Sequence, residues 1–154
     1  MRRFEFVQFV PATLDVVWDF FSSPSNLSKI TPTEMGFKIT SQELPVMYPG
    51  MFITYKVSPA LGIKLNWVTE ITQISEKKFF IDEQRSGPYR IWHHEHHFKE
   101  AEGGVEMRDI LYYQVPFGFL GRLADLFFVS NKIKQIFDFR TKRISQLFPE
   151  FDSK

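Results

Sequence analysis

"YRIWHHEHHFKEAEGGVEMRDILYYQV", residues 89 to 115, decides how this chain is read. Two runs rich in aromatic and branched residues flank "AEGG" (101–104), and a two-residue turn at Glu102-Gly103 is a strong hairpin signal. Such a turn fixes the register. With Ala101 opposite Gly104, His96 lies opposite Asp109, Phe98 opposite Met107, His94 opposite Leu111 and Trp92 opposite Tyr113. Side chains alternate along a strand. One face of the first strand therefore carries Trp92, His94, His96 and Phe98, and the other carries Ile91, His93, Glu95, His97 and Lys99. The second set is mostly charged and reads as the solvent face. The first is bounded by large aromatic residues and reads as the inner face. All four histidines of the chain lie here, two on each face.

Working outward, "KFFIDEQR" (78–85) precedes the hairpin, with Phe80, Asp82 and Gln84 on one face. If that face is inner, Asp82 and Gln84 approach His94 and His96. Further strands are read at "FEFVQFV" (4–10), "FKITSQEL" (37–44), "MFITYKVS" (51–58) and "IKLNWVTEITQI" (63–74). "TLDVVWDFFSS" (13–23) has helical spacing with Thr13 as its N-cap, and "PSNLSKI" (24–30) forms a second short helix that Pro32 ends. After Pro116 the period changes. Leu123, Leu126, Phe127, Ile133, Ile136, Phe137, Ile144 and Leu147 recur at spacings of three and four, which predicts one amphipathic helix over 120–148, about 28 residues or ~42 Å long. Lys132, Lys134, Arg140, Lys142 and Arg143, broken by Asp125 and Asp138, read as its solvated face. The apolar run "VPFGFLGRLADLFFV" (115–129) reads as a loop packing onto the start of that helix. The order is strand, two short helices, about six antiparallel strands and one long helix. This predicts a single α+β domain over 1–154 whose sheet of six to seven strands buries one face under the helix.

Composition narrows the function. A chain of 154 residues suits one domain that buries roughly 68–70% of its unfolded surface. The absence of cysteine removes thiolate metal sites, thiol catalysis and disulfides. Nineteen basic against 18 acidic residues leave a net charge of +1, which gives no field of one sign for nucleic acid. Glu5 and Gln8 interrupt the apolar residues at the N-terminus too early for a signal peptide, and no run approaches the ~20 apolar residues of a membrane span. The expectation is a cytoplasmic protein with no nucleic-acid partner and no stable membrane insertion. Nothing in these totals sets an oligomeric state. Eighteen phenylalanines point to a Phe-rich core, some of which would line a cavity.

The element order resembles the helix-grip fold of the START and birch-pollen-allergen superfamily, often called SRPBCC. More locally, Gly87, Pro88 and Tyr89, then Trp92, His94, His96 and Phe98, then Asp109, Tyr113, Pro116, Phe117 and Gly118 are similar to a bacterial ligand-binding branch of it, sometimes labelled cell-division-inhibitor-like. The resemblance implies a curved sheet wrapped around the C-terminal helix, with room between them for a small molecule. It does not choose among carriers, receptors and cyclases built on that scaffold.

The expected function is binding of a small, largely hydrophobic or aromatic molecule between sheet and helix. His94, His96 and Asp109 would read its polar end, with Asp82 and Gln84 nearby. Trp92, Trp67, Tyr55 and Tyr113 would form walls, with Phe127 contributed by the helix. No metal and no organic cofactor is called for. One alternative is a cyclase, dehydratase or hydrolase using His96 and Asp109, with His94, for proton transfer. The other is a protein-interaction module with a filled interior.

Overall fold

Alternation of inward apolar and outward polar residues generates most of the architecture. In the computed structural model, which describes residues 1–42, 46–58 and 63–149, β1 (Arg2–Val10) turns Phe4, Phe6, Gln8 and Val10 inward and Arg3, Glu5, Val7 and Phe9 outward. A helix α1 (Leu14–Phe21) and 3-10 turns at Pro24–Ile30 and Thr33–Met35 come next. Thr13 does occupy the N-cap position, but its side chain makes no capping bond. Then come β2 (Lys38–Ile39), β3 (Met51–Val57), β4 (Leu65–Ser75), β5 (Phe79–Ser86), β6 (Ile91–Ala101) and β7 (Gly104–Gln114). The strand expected over 37–44 shrinks to two residues, and positions 43 and 44 lie outside the described residues. The seven strands form one antiparallel sheet in the order β1-β7-β6-β5-β4-β3-β2. The β6–β7 register is the one the turn dictates, with His96 opposite Asp109 and Trp92 opposite Tyr113.

The C-terminal segment is helical from Gly118 to Leu147 but is not one regular helix. It divides into α2 (Gly118–Ala124), a π-helical turn (Asp125–Val129) and α3 (Ser130–Leu147). The inward residues of α3 are Ser130, Ile133, Phe137, Arg140 and Ile144. An α-period continued backwards would bring Leu126 or Phe127 inside. The π turn widens the step to five residues and brings in Asp125 instead. Phe127 is consequently 75% exposed, which removes it from the cavity wall where helical spacing puts it. Asp125 is buried, accepts a hydrogen bond from the Tyr113 hydroxyl at 2.7 Å and pairs with Arg2, so it belongs to no solvated face. Phe117, Phe119 and Leu120 are also exposed, so this stretch does not pack down as a loop.

Of four buried apolar clusters among the described residues, two flank the centre of the sheet. One joins Trp18 and Phe21 of α1 to Phe98, Met107 and Ile144. The other joins Leu111 and Tyr113 to Ile133 and Phe137, with Phe6 stacked on Phe137 at 4.0 Å between ring centres. Each such buried side chain contributes roughly 1.5–3 kcal/mol. Along β6, β7 and α3, the residues that fall between the two clusters are polar: His94 and His96, Asp109, and Arg140.

Gly121 tests how tightly the chain enters this helix. A Cβ there would collide with the Pro116 carbonyl oxygen, a backbone atom that cannot swing away. Gly121→Ala should cost about 1–3 kcal/mol, seen as a lower urea midpoint, where the same change at an open helix position would stabilise. An unchanged midpoint would contradict this close approach.

Candidate functional site

The polar layer is assembled by strand register. Asp82 on β5 lies opposite His94 on β6, and Phe80 opposite His96. On the other side His96 lies opposite Asp109 and His94 opposite Leu111. Directly opposed residues stand roughly 5 Å apart at Cβ, so both imidazoles are held between two carboxylates. His96 donates from Nε2 to Asp82 Oδ2 at 2.9 Å, and its Nδ1 lies 2.7 Å from Asp109 Oδ1. His94 Nδ1 is 3.5 Å from Asp82 Oδ2, and its Nε2 is 3.3 Å from Asp109 Oδ1 but out of line for a hydrogen bond. Arg140 Nη2 closes the group at 3.4 Å from Asp109 Oδ1 and 3.3 Å from His96 Nδ1. His94, His96, Asp109 and Arg140 are all buried, while Asp82 is half-buried.

Burial disfavours charge at each of these groups, and the neighbours decide which keep it. For Asp109, the Arg140 and His96 charges outweigh burial and hold its carboxyl well below the usual range. For Asp82 burial is the largest single influence, but the hydrogen bond from His96 and the charges of His94, His96 and Arg140 together outweigh it, and its pKa is lowered. For His96 burial works against the proton, but the Asp109 charge and the contacts to both carboxylates prevail and raise its pKa. For His94 burial prevails, helped by the neighbouring His96 charge, and its pKa falls. The neighbours thus favour the charged form of both carboxylates and of His96, and burial favours the neutral form of His94.

This layer forms the polar end of a cavity of about 180 Å³. Asp82, His94, His96 and Arg140 reach its wall. The rest of the lining is apolar and aromatic, including Ile53, Val57, Trp67, Trp92, Ile133 and Phe137. Trp67 meets Trp92 edge to face at 5.2 Å and stacks on Tyr55 at 5.8 Å. The Tyr55 hydroxyl shares a hydrogen bond with Thr69 at 3.0 Å. Three buried nitrogens have no hydrogen-bond partner among the described residues, namely Trp67 Nε1, His94 Nε2 and Arg140 Nε. All three belong to side chains that line the cavity.

Of the residues expected at the site, His94, His96, Asp82, Trp92, Trp67 and Tyr55 meet at this cavity. Asp109 stands behind the histidines and is absent from the wall. Tyr113 points inward as alternation requires, but the helix start covers it and its hydroxyl is taken by Asp125. Gln84 turns away, donating to the Tyr89 carbonyl at 2.6 Å and accepting from the Tyr89 amide, and so holds the β5–β6 turn. His93 and His97 lie on the outer face, paired with Glu83 and Glu95. Arg140, whose charge predicts a solvated face, is instead a central member of the site. The signal is present in the sequence, since it stands seven residues after Ile133 and four before Ile144 on the buried stripe.

No protein-family model and no curated protein matches the chain. Solved structures do match over nearly its whole length. The protein CV1439 from Chromobacterium violaceum is 13% identical with a TM-score of 0.71, covering 95% of this chain and 96% of its own. Ms6760 from Mycobacterium smegmatis is 16% identical with a TM-score of 0.67, covering 94% and 89%. Ara h 8.0201, a helix-grip protein of the birch-pollen-allergen type, is 13% identical with a TM-score of 0.59, covering 94% and 98%. At these identities the likeness establishes the fold, a helix grip, and nothing finer. Among the described residues no helix is long and apolar enough to cross a membrane.

Proposed function

We propose that the protein binds a compact, largely apolar or aromatic molecule whose polar end carries hydrogen-bond acceptors. The observation that carries this reading is the pair of unpartnered donors, Trp67 Nε1 and Arg140 Nε, on side chains that line one largely apolar cavity. A buried donor without a partner costs about 1–3 kcal/mol. An indole N–H and a guanidinium N–H can only donate, so an acceptor oxygen in the ligand would relieve them. A cavity of about 150 Å³ holds one benzene molecule. The cavity here, at about 180 Å³, suits a single ring with a short substituent.

An acid–base role for His96 and Asp109 is disfavoured by geometry. Both His96 nitrogens are already engaged by carboxylates, which leaves no free lone pair to take a proton from a substrate. A protein-interaction module with a packed interior is disfavoured by the cavity itself.

Native mass spectrometry of freshly purified protein should show a small molecule released on unfolding. On the emptied protein, acetophenone and benzoate should raise the melting temperature by roughly 5–10 °C near 100 times Kd, and palmitate should not. Toluene has the ring without the acceptor and should bind more weakly. Equal effects from toluene and acetophenone would remove the acceptor claim, and no effect from any ring compound would remove the reading.

A further inference from the structure

We propose that Asp82, His94 and His96 form a binding site for one divalent first-row transition-metal ion at the polar end of the cavity. One ligand atom from each of the three side chains lies within 4.8 Å of the other two. Asp82 Oδ2 stands 2.9 Å from His96 Nε2 and 3.5 Å from His94 Nδ1. Three ligands on a tetrahedral ion, each about 2.0–2.2 Å from it, stand roughly 3.3 Å apart. The two spacings to Asp82 thus bracket what such an ion requires, the two imidazole nitrogens lie within 4.8 Å of each other, and side-chain rotations would let the ion replace the hydrogen bond between Asp82 and His96.

The donor set selects the metal class. Two imidazoles and one carboxylate suit zinc, iron(II) or cobalt(II), whereas calcium and magnesium prefer all-oxygen shells. The groups behind the ligands fit as well. Metal-bound histidines commonly direct the other ring nitrogen at a carboxylate. Here Asp109 Oδ1 lies 2.7 Å from His96 Nδ1 and 3.3 Å from His94 Nε2, and it is itself braced by Arg140. All three ligands also line the cavity, so a fourth coordination position opens onto the space where a molecule would sit.

Charge then specifies the occupant of that position. Asp82, Asp109 and Arg140 sum to −1, and a divalent ion makes the layer +1. One anionic oxygen from a carboxylate, phenolate or hydroxide restores neutrality in a buried site. The inference rests on the ligand-binding reading, because the ion would hold the acceptor end of that molecule.

The test is titration of the full chain, stripped with EDTA, with zinc chloride by calorimetry and with cobalt chloride by visible absorption. One equivalent should bind. Asp82→Asn and His94→Gln should each weaken binding at least 100-fold, and a double His93→Ala/His97→Ala variant on the outer face should bind as the wild type does. No uptake, undiminished uptake by Asp82→Asn, or loss in the outer-face variant would overturn the site. If the Asp82 and His94 variants do not fold, X-ray absorption of the zinc-loaded wild type decides. Two imidazole nitrogens in the first shell are expected, and fewer than two overturn it. Benzoate binding to the EDTA-stripped protein is scored separately, so the cavity reading can stand or fall without the metal.

Discussion

Replacing Asp109 by alanine should destabilise the protein by about 3–5 kcal/mol, measured by urea unfolding in the presence of a chelator. Stabilities of whole domains lie near 5–15 kcal/mol, so this single change would bring the chain close to unfolding. The loss falls mainly on Arg140. Its only polar contacts among the described residues are Asp109 and His96. A guanidinium cannot shed its charge to escape burial, whereas His96 can release its proton. Removing Asp109 therefore takes away the one carboxylate in contact with Arg140 among the described residues and leaves Asp82 to offset its charge only at longer range. Asp109→Asn keeps the shape and part of the hydrogen bonding and should cost less. Glu100→Ala, at an exposed position on β6, should stay within about 0.5 kcal/mol. A loss below about 1 kcal/mol for Asp109→Ala would mean that the charges are not paired as the geometry indicates. A double change, Asp109→Leu with Arg140→Met, should recover much of the loss, because an apolar replacement of a buried pair is often neutral or stabilising.

How much of this arrangement is legible in the sequence depends on the element. The His94–His96–Asp109 constellation is readable because two strong rules coincide there. A two-residue turn sets register, and strand alternation sets the face. The burial pattern along β6, with His94, His96 and Phe98 inside, is their direct consequence. The helix obeys a weaker rule. Its period is not an integer, and one π turn rotates α2 by about a third of a turn relative to α3. Phe127 and Asp125 exchange faces for that reason alone. Arg140 escapes for a different reason. Its position on the stripe is correct for burial, but its residue type argues for solvent, and in a sequence alone type outweighs position. A buried arginine needs carboxylates within reach, and those carboxylates sit on β5 and β7, far away in sequence. Gln84 shows the limit of alternation. It faces the expected side, yet a local backbone partner at Tyr89 is closer than the site.

The cavity lies beyond sequence reasoning, because its volume is the difference between a sheet's curvature and a helix's bulk. It can nevertheless be tested by removal. Ile53 sits on the inner face of β3, opposite Thr69, is 4% exposed and lines the cavity. Ile53→Trp exchanges one apolar side chain for a larger one and changes no polar contact. In a packed core such an insertion costs about 1–3 kcal/mol through strain. Here the indole has a space of about 180 Å³ to enter, so the unfolding midpoint should fall little or rise. The effect on binding should be far larger. With the space occupied, stabilisation by acetophenone or benzoate should disappear, equivalent to at least a 100-fold loss of affinity or about 2.7 kcal/mol. Zinc uptake should survive, since Asp82, His94 and His96 are untouched. Retained benzoate binding would place the ligand elsewhere. A loss of stability on the scale of an overpacked core would mean that the interior closes in solution.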